Sequence, residues 1–225
     1  MWIGMHIVAA SLVIAGGSGE DNMLGGAESS VLAHEAVRMD GRVVELDEAY
    51  AGKVVLIVNV ASRCGYTRQY EGLEEAYRTW KEDGLVVLGF PANDFGRQEP
   101  GSNEQILEFC RSRFDVTFPM FEKVVVTGER AHPVYRAIAE LDPPIGGEPR
   151  WNFTKFLVDH TGTVLARFEP SDEPMGETMQ QAIAEAIEAR RQASMLPSPD
   201  PEAETGPEGE PDRGAAPEDG SGPPT

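Results

Sequence analysis

The segment Val54-Val-Leu-Ile-Val-Asn-Val60 limits the fold of this chain more than any other stretch. Apart from Asn59 it is wholly aliphatic, and it is mostly β-branched. A half-exposed strand alternates apolar and polar residues, and that alternation is missing here. The run therefore predicts a central strand buried on both faces. Such a strand needs cover above and below, which makes the chain α/β, a mixed sheet flanked by helices.

The surrounding pattern agrees. Leu73, Ala76, Tyr77 and Trp80 recur at helical spacing and predict an amphipathic helix. Leu85 to Phe90 reads as a second buried strand, closed by Pro91. Ser102-Asn-Glu-Gln105 has the form of a capping box, opening a helix with Ile106, Phe109 and Cys110 on one face. Val124 to Val126 is a short strand, and Pro133 to Leu141 a helix. Phe153 to Asp159 and Val164 to Phe168 flank a hairpin signal at His160-Thr-Gly162-Thr. Met179, Ile183, Ala186 and Ile187 form the inner stripe of a last helix, and Val43, Val44 and Leu46 predict an extra strand near the start.

The 225 residues fit one domain, residues 31–191, with an extension at each end. Trp2 to Ala15 is mostly apolar. Its length suits the hydrophobic stretch of a signal peptide and falls short of a bilayer span. Val13-Ile14-Ala15 before Gly16 is a candidate cleavage site, although no Lys or Arg precedes the run. Residues 1–30 thus read as a signal peptide or N-terminal anchor plus a linker. A signal peptide implies a periplasmic or extracellular protein; otherwise the expectation is cytoplasmic. Residues 192–225 are rich in Pro, Gly, Glu, Asp and Ser, and predict a disordered acidic tail. The formal net charge of −19 disfavours nucleic-acid and anionic-membrane partners.

Two cysteines are too few for a disulfide framework, and the four histidines lack ligand-like spacing. No metal site or prosthetic group is expected. The cysteines are either two packed thiols or one redox pair. Position bears on the choice. Cys64 follows the central strand and precedes the first long helix. Reactive groups in open α/β sheets gather beyond the carboxyl ends of strands, and a helix N-terminus favours the thiolate. Arg63 either adds to this or points to solvent, and Gly65 allows close approach.

Three segments carry a resemblance. Val58-Asn-Val-Ala-Ser-Arg-Cys64-Gly, Phe90-Pro-Ala-Asn-Asp-Phe-Gly-Arg-Gln98-Glu-Pro-Gly and Trp151-Asn-Phe-Thr-Lys-Phe156 are similar, in order, to the signature segments of the glutathione peroxidase family. The resemblance runs from about Val31 to Ile187. It implies a thioredoxin-like fold and a thiol peroxidase acting on hydrogen peroxide and on organic and lipid hydroperoxides. Cys64 matches the peroxidatic position, and Gln98, Trp151 and Asn152 match the rest of a catalytic tetrad. Their amide and indole N–H groups are donors suited to holding a thiolate. Attack of that thiolate on a hydroperoxide leaves a Cys64 sulfenic acid.

Cys110 matches the resolving cysteine of thioredoxin-dependent members. This implies a Cys64–Cys110 disulfide, with thioredoxin or glutathione as the reducing co-substrate. Such a disulfide would require the capping-box helix to unwind. Cys110 also lies on an apolar stripe, where it can be a core residue. Ala92 stands where many relatives carry another cysteine, and Asp94 where Gln is frequent. Asp94 is either a carboxylate near the thiol or a turn residue. The short stretch Leu141 to Arg150 resembles the monomeric members. The alternative function is a peroxide sensor or relay, passing the disulfide to a client protein.

Overall fold

The structure, a computed structural model, describes residues 30–195. The leader and most of the acidic tail lie outside the described residues. The described residues form twelve elements, with β1 (Glu35–Val37), β2 (Val43–Glu45), α1 (Leu46–Ala49) and β3 (Val54–Val60) coming first. Next are α2 (Gln69–Trp80), a 3-10 turn (Lys81–Asp83), β4 (Leu85–Pro91), α3 (Asn103–Phe114) and α4 (Pro133–Ala139). The chain then forms β5 (Lys155–Val158), β6 (Val164–Phe168) and α5 (Glu177–Met195).

β3 is the centre of a four-stranded sheet of order β4-β3-β5-β6. It pairs in parallel with β4 and antiparallel with β5, and β5 with β6 closes the antiparallel side. All seven β3 residues are buried. The strand period of two sorts them between two layers. Val54, Leu56, Val58 and Val60 face a cluster with Leu73 of α2, Ile106 and Cys110 of α3, and Ile183 of α5. Val55 and Ile57 face the opposite cluster, with Val134 and Ile138 of α4 and Phe156 of β5. Burying each such side chain is worth about 1.5–3 kcal/mol, which explains why this run dominates the fold.

Four boundaries differ from the sequence-based expectations. Val124 makes one isolated bridge, to Ala92, and no strand forms over 124–126. The Asp94 carboxylate accepts from Val126 N–H (3.1 Å) and Thr127 N–H (3.3 Å), so those donors are unavailable to a ladder. Leu46 opens α1 and does not extend β2. β5 begins at Lys155 because Phe153 takes φ +66° and the Thr154 hydroxyl donates to the Trp151 carbonyl, a turn in place of strand. α5 continues to Met195, past Arg191. The capping box is present: the Ser102 side chain accepts from Gln105 N–H, and the Gln105 side chain accepts from Ser102 N–H.

Candidate active site

β3 ends at Val60 and α2 begins at Gln69, so residues 61–68 form a turn beyond the carboxyl end of the central strand. Cys64 occupies it, partly buried and packed against the core cluster that contains Cys110. Thr67 shapes the turn. Its hydroxyl accepts from Cys64 N–H (2.9 Å) and donates to the Ala61 carbonyl (2.9 Å). The result aims the Tyr66 N–H at Cys64 Sγ, 3.4 Å away. A Cβ at Gly65 would meet nothing within 4 Å, so protein packing leaves space there. The Arg63 side chain is exposed, which answers one of the two sequence-based options for it.

The other two segments are tied to this turn through the backbone. Arg63 N–H donates to the Gln98 carbonyl (3.0 Å). Asn59, the one polar residue of β3, donates from Nδ2 to the Trp151 carbonyl (3.0 Å), and its own carbonyl accepts from Phe153 N–H (2.6 Å). Gln98 and Asn152 meet directly: Asn152 Nδ2 donates to Gln98 Oε1 (3.0 Å). Asn152 is fully buried, whereas Trp151 is 40% exposed with its ring 5.6 Å from that of Phe95. Gln98 and Asn152 are thus brought together, and Trp151 is held beside them. Among the described residues none of the three side chains hydrogen-bonds Cys64 Sγ. The Gln98 Nε2 and Trp151 Nε1 donors have no other partner there.

Cys110 lies fully buried on the inner face of α3, and both thiols are free. Burial pushes the Cys110 thiol up to about 11; the neighbouring Tyr70 hydroxyl opposes the shift, and the Glu99 carboxylate adds to it. Asp94 does not face the thiol; it caps the Val126–Thr127 backbone and is a turn residue. Two hollows adjoin the Cys64 turn. One, of about 840 Å³, runs between Thr67, Arg68, Phe109 and Arg113. The other, of about 260 Å³, lies between Ser62, Glu99 and Ile106. Among the described residues no group of three or more His, Cys, Asp or Glu could hold a metal ion.

Sequence reasoning missed two contributors to the turn and one buried neighbour of it. Asn59 was visible as the single polar residue in an apolar run. Thr67 was visible only as a turn residue of the right size. Glu99, a charged residue between Gln98 and Pro100, gave no sign that it is buried.

Comparison with known proteins places this arrangement. The family model described as glutathione peroxidase matches residues 31–139. The glutathione peroxidase of Lactococcus lactis subsp. cremoris is 47% identical over 153 residues, spanning 68% of this chain and 96% of that protein. The hydroperoxy fatty acid reductase gpx1 of Synechocystis sp. is 44% identical over 155 residues, 66% of this chain and 91% of that protein. The crystal structure of Trgpx in apo form superposes with a TM-score of 0.58 at 37% identity, covering 71% of this chain and 96% of that one. The parallel β3–β4 pair beside an antiparallel β5–β6 hairpin, with helices on both faces, is a thioredoxin-like fold. The chain belongs to the glutathione peroxidase family.

Proposed function

We propose that this peroxidase reduces hydrogen peroxide and organic hydroperoxides, fatty-acid hydroperoxides among them, at Cys64. The Cys64 thiolate attacks the terminal oxygen of the hydroperoxide. The O–O bond breaks, the alkoxide leaves as alcohol after taking a proton, and Cys64 becomes a sulfenic acid. Gln98, Trp151 and Asn152 supply amide and indole donors to the thiolate and to the departing oxygen. Cys110 then attacks the Cys64 sulfur, giving a disulfide that a thioredoxin-like dithiol or glutathione reduces. No metal or prosthetic group enters the cycle.

The observation that carries this reading is the Asn152–Gln98 hydrogen bond, formed between residues 54 apart in sequence next to the Cys64 turn. It occupies the acceptor of Gln98 and leaves Nε2 free to donate. The hollow lined by Arg68, Arg113 and Phe109 gives a long-chain hydroperoxide room beside Cys64.

The test is NADPH consumption with hydrogen peroxide, tert-butyl hydroperoxide and a fatty-acid hydroperoxide, with thioredoxin or glutathione and the matching reductase. Cys64→Ser abolishes turnover. Cys110→Ser gives one turnover and then stalls with thioredoxin. A Cys64→Ser protein that still turns over sinks the assignment. A stable sulfenic acid in the native protein, with no Cys64–Cys110 disulfide by mass spectrometry after one equivalent of peroxide, removes Cys110 from the cycle. Turnover that needs a separate client protein favours a relay.

A further inference from the structure

Glu99 is a buried carboxyl for which the peroxidase cycle described above has no use. Its side chain has no exposed surface. Oε2 accepts from the Ser62 hydroxyl (3.0 Å), and Oε1 is buried with no hydrogen-bond partner. The neighbouring cation does not hydrogen-bond the carboxylate: Lys123 Nζ donates to the backbone carbonyls of Glu99 (3.2 Å) and Gly101 (2.7 Å) instead. Burial raises its pKa above the ordinary carboxylate value, against the opposing effects of Ser62, Lys123 and Arg63.

A buried carboxylate oxygen without a partner is costly. As scaffolding, a glutamine or an aliphatic side chain would serve better. The location suggests what offsets the cost. Glu99 lines a cavity of about 260 Å³ with Ser62 and Arg63 from the Cys64 turn on one side and Ile106 of α3 on the other. Cys110 is one helical turn beyond Ile106 on the same buried face. The charge of Glu99 is felt both at the Cys110 thiol and at the Tyr70 hydroxyl beside it. The carboxyl therefore stands between the turn that carries one cysteine and the helix that carries the other.

We propose that Glu99 carries the proton in the step that forms the Cys64–Cys110 disulfide. The inference rests on the reading of Cys110 as the resolving cysteine. Cys110 Sγ attacks Cys64 Sγ; the new S–S bond forms as the S–O bond of the sulfenic acid breaks, its electron pair leaving on oxygen. The thiol proton passes to Glu99 Oε1 and from there to the departing hydroxyl, which leaves as water. One thiol and one sulfenic acid give one disulfide and one water. A buried thiol is a poor nucleophile until it loses its proton, and a carboxyl on its path provides the acceptor.

The experiment follows one equivalent of peroxide in rapid quench, scoring sulfenic acid by dimedone capture and disulfide by mass. In Glu99→Gln, disulfide formation is expected to slow at least tenfold while sulfenic acid formation changes less than twofold. In Glu99→Ala, formate is expected to restore the disulfide rate in proportion to its concentration. Equal rates of disulfide formation in native and Glu99→Gln protein overturn the relay and leave the resolving role of Cys110 intact. Equal slowing of both steps, or no rescue by formate, also overturns it. No disulfide in the native protein removes the underlying reading, a separate result. Should the variants fail to fold, the native protein suffices: disulfide formation is expected to slow at least twofold in deuterium oxide, and an unchanged rate refutes the relay.

Discussion

At the scale of single residues, polar groups inside the core decide how the chain is pinned together. Asn59 interrupts an apolar strand, yet its side chain and backbone hold Trp151 and Phe153. Lys155, equally buried, donates to the Asp172 carbonyl (2.6 Å) and the Glu169 carbonyl (3.4 Å), fastening β5 to the segment after β6. Burial lowers its pKa to about 8 from an ordinary value of 10.5, despite the nearby carboxylates of Asp172, Glu173 and Glu169. Between those two values the unfolded chain binds the proton and the folded chain does not. Stability from this group therefore climbs with pH from about 8 to 10.5 and is flat below, by roughly 3 kcal/mol in all. Urea unfolding should show the native stability rising relative to Lys155→Met across that window. The buried Cys110 thiol and tyrosines pull the other way in both proteins and cancel in the difference. A flat difference contradicts the account.

At the scale of elements, α3 is held differently at its two ends. The Ser102 capping box closes its start at an exposed position. Its end is tied to α2: Glu74, buried, accepts from Thr117 N–H (2.7 Å), and Arg78 pairs with Asp115 (2.8 Å). If α3 opens to deliver Cys110, the first turns are the cheaper ones to lose. Ser102→Ala should destabilise the protein by about 1 kcal/mol. If that cost falls wholly on the closed helix, Cys64–Cys110 disulfide formation should speed up by about fivefold. Thermal melting measures the first effect, and rapid quench with alkylation the second. A destabilised variant with an unchanged disulfide rate places the opening elsewhere.

At the scale of the whole molecule, the charge balance is uneven. The chain carries −19, and the ion pairs among the described residues are few and mostly at the surface, where each is worth about 0–1 kcal/mol. Repulsion among like charges should outweigh them. Raising sodium chloride from 10 to 200 mM is expected to move the urea midpoint upward, as repulsion is screened. A midpoint that falls with salt would mean attractive pairs dominate.

Much of this protein could be read from its sequence, because the features concerned are local or periodic. The all-apolar Val54–Val60 run specifies a strand covered on both sides. The stripe around Leu73 and the capping box at Ser102 specify helices. The three motif segments contain Gln98 and Asn152, whose side chains meet, and the Cys64 turn to which Gln98 is tied through its backbone. Two of the misjudged boundaries lie where a side chain takes over a backbone group: a distant carboxylate accepts from backbone donors, and a nearby hydroxyl donates to a backbone carbonyl. Asp94 ends a would-be strand at Val126, and the Thr154 hydroxyl turns the chain before Lys155. What only the tertiary structure decided is which polar groups lose water. Pattern alone cannot tell that Glu99 and Lys155 are buried, that Glu99 Oε1 has no partner, or that Gln98 faces Asn152. Burial and pairing depend on segments brought together by the sheet. Hydrophobic periodicity records which face an element buries, not which charged side chain comes to lie beneath it.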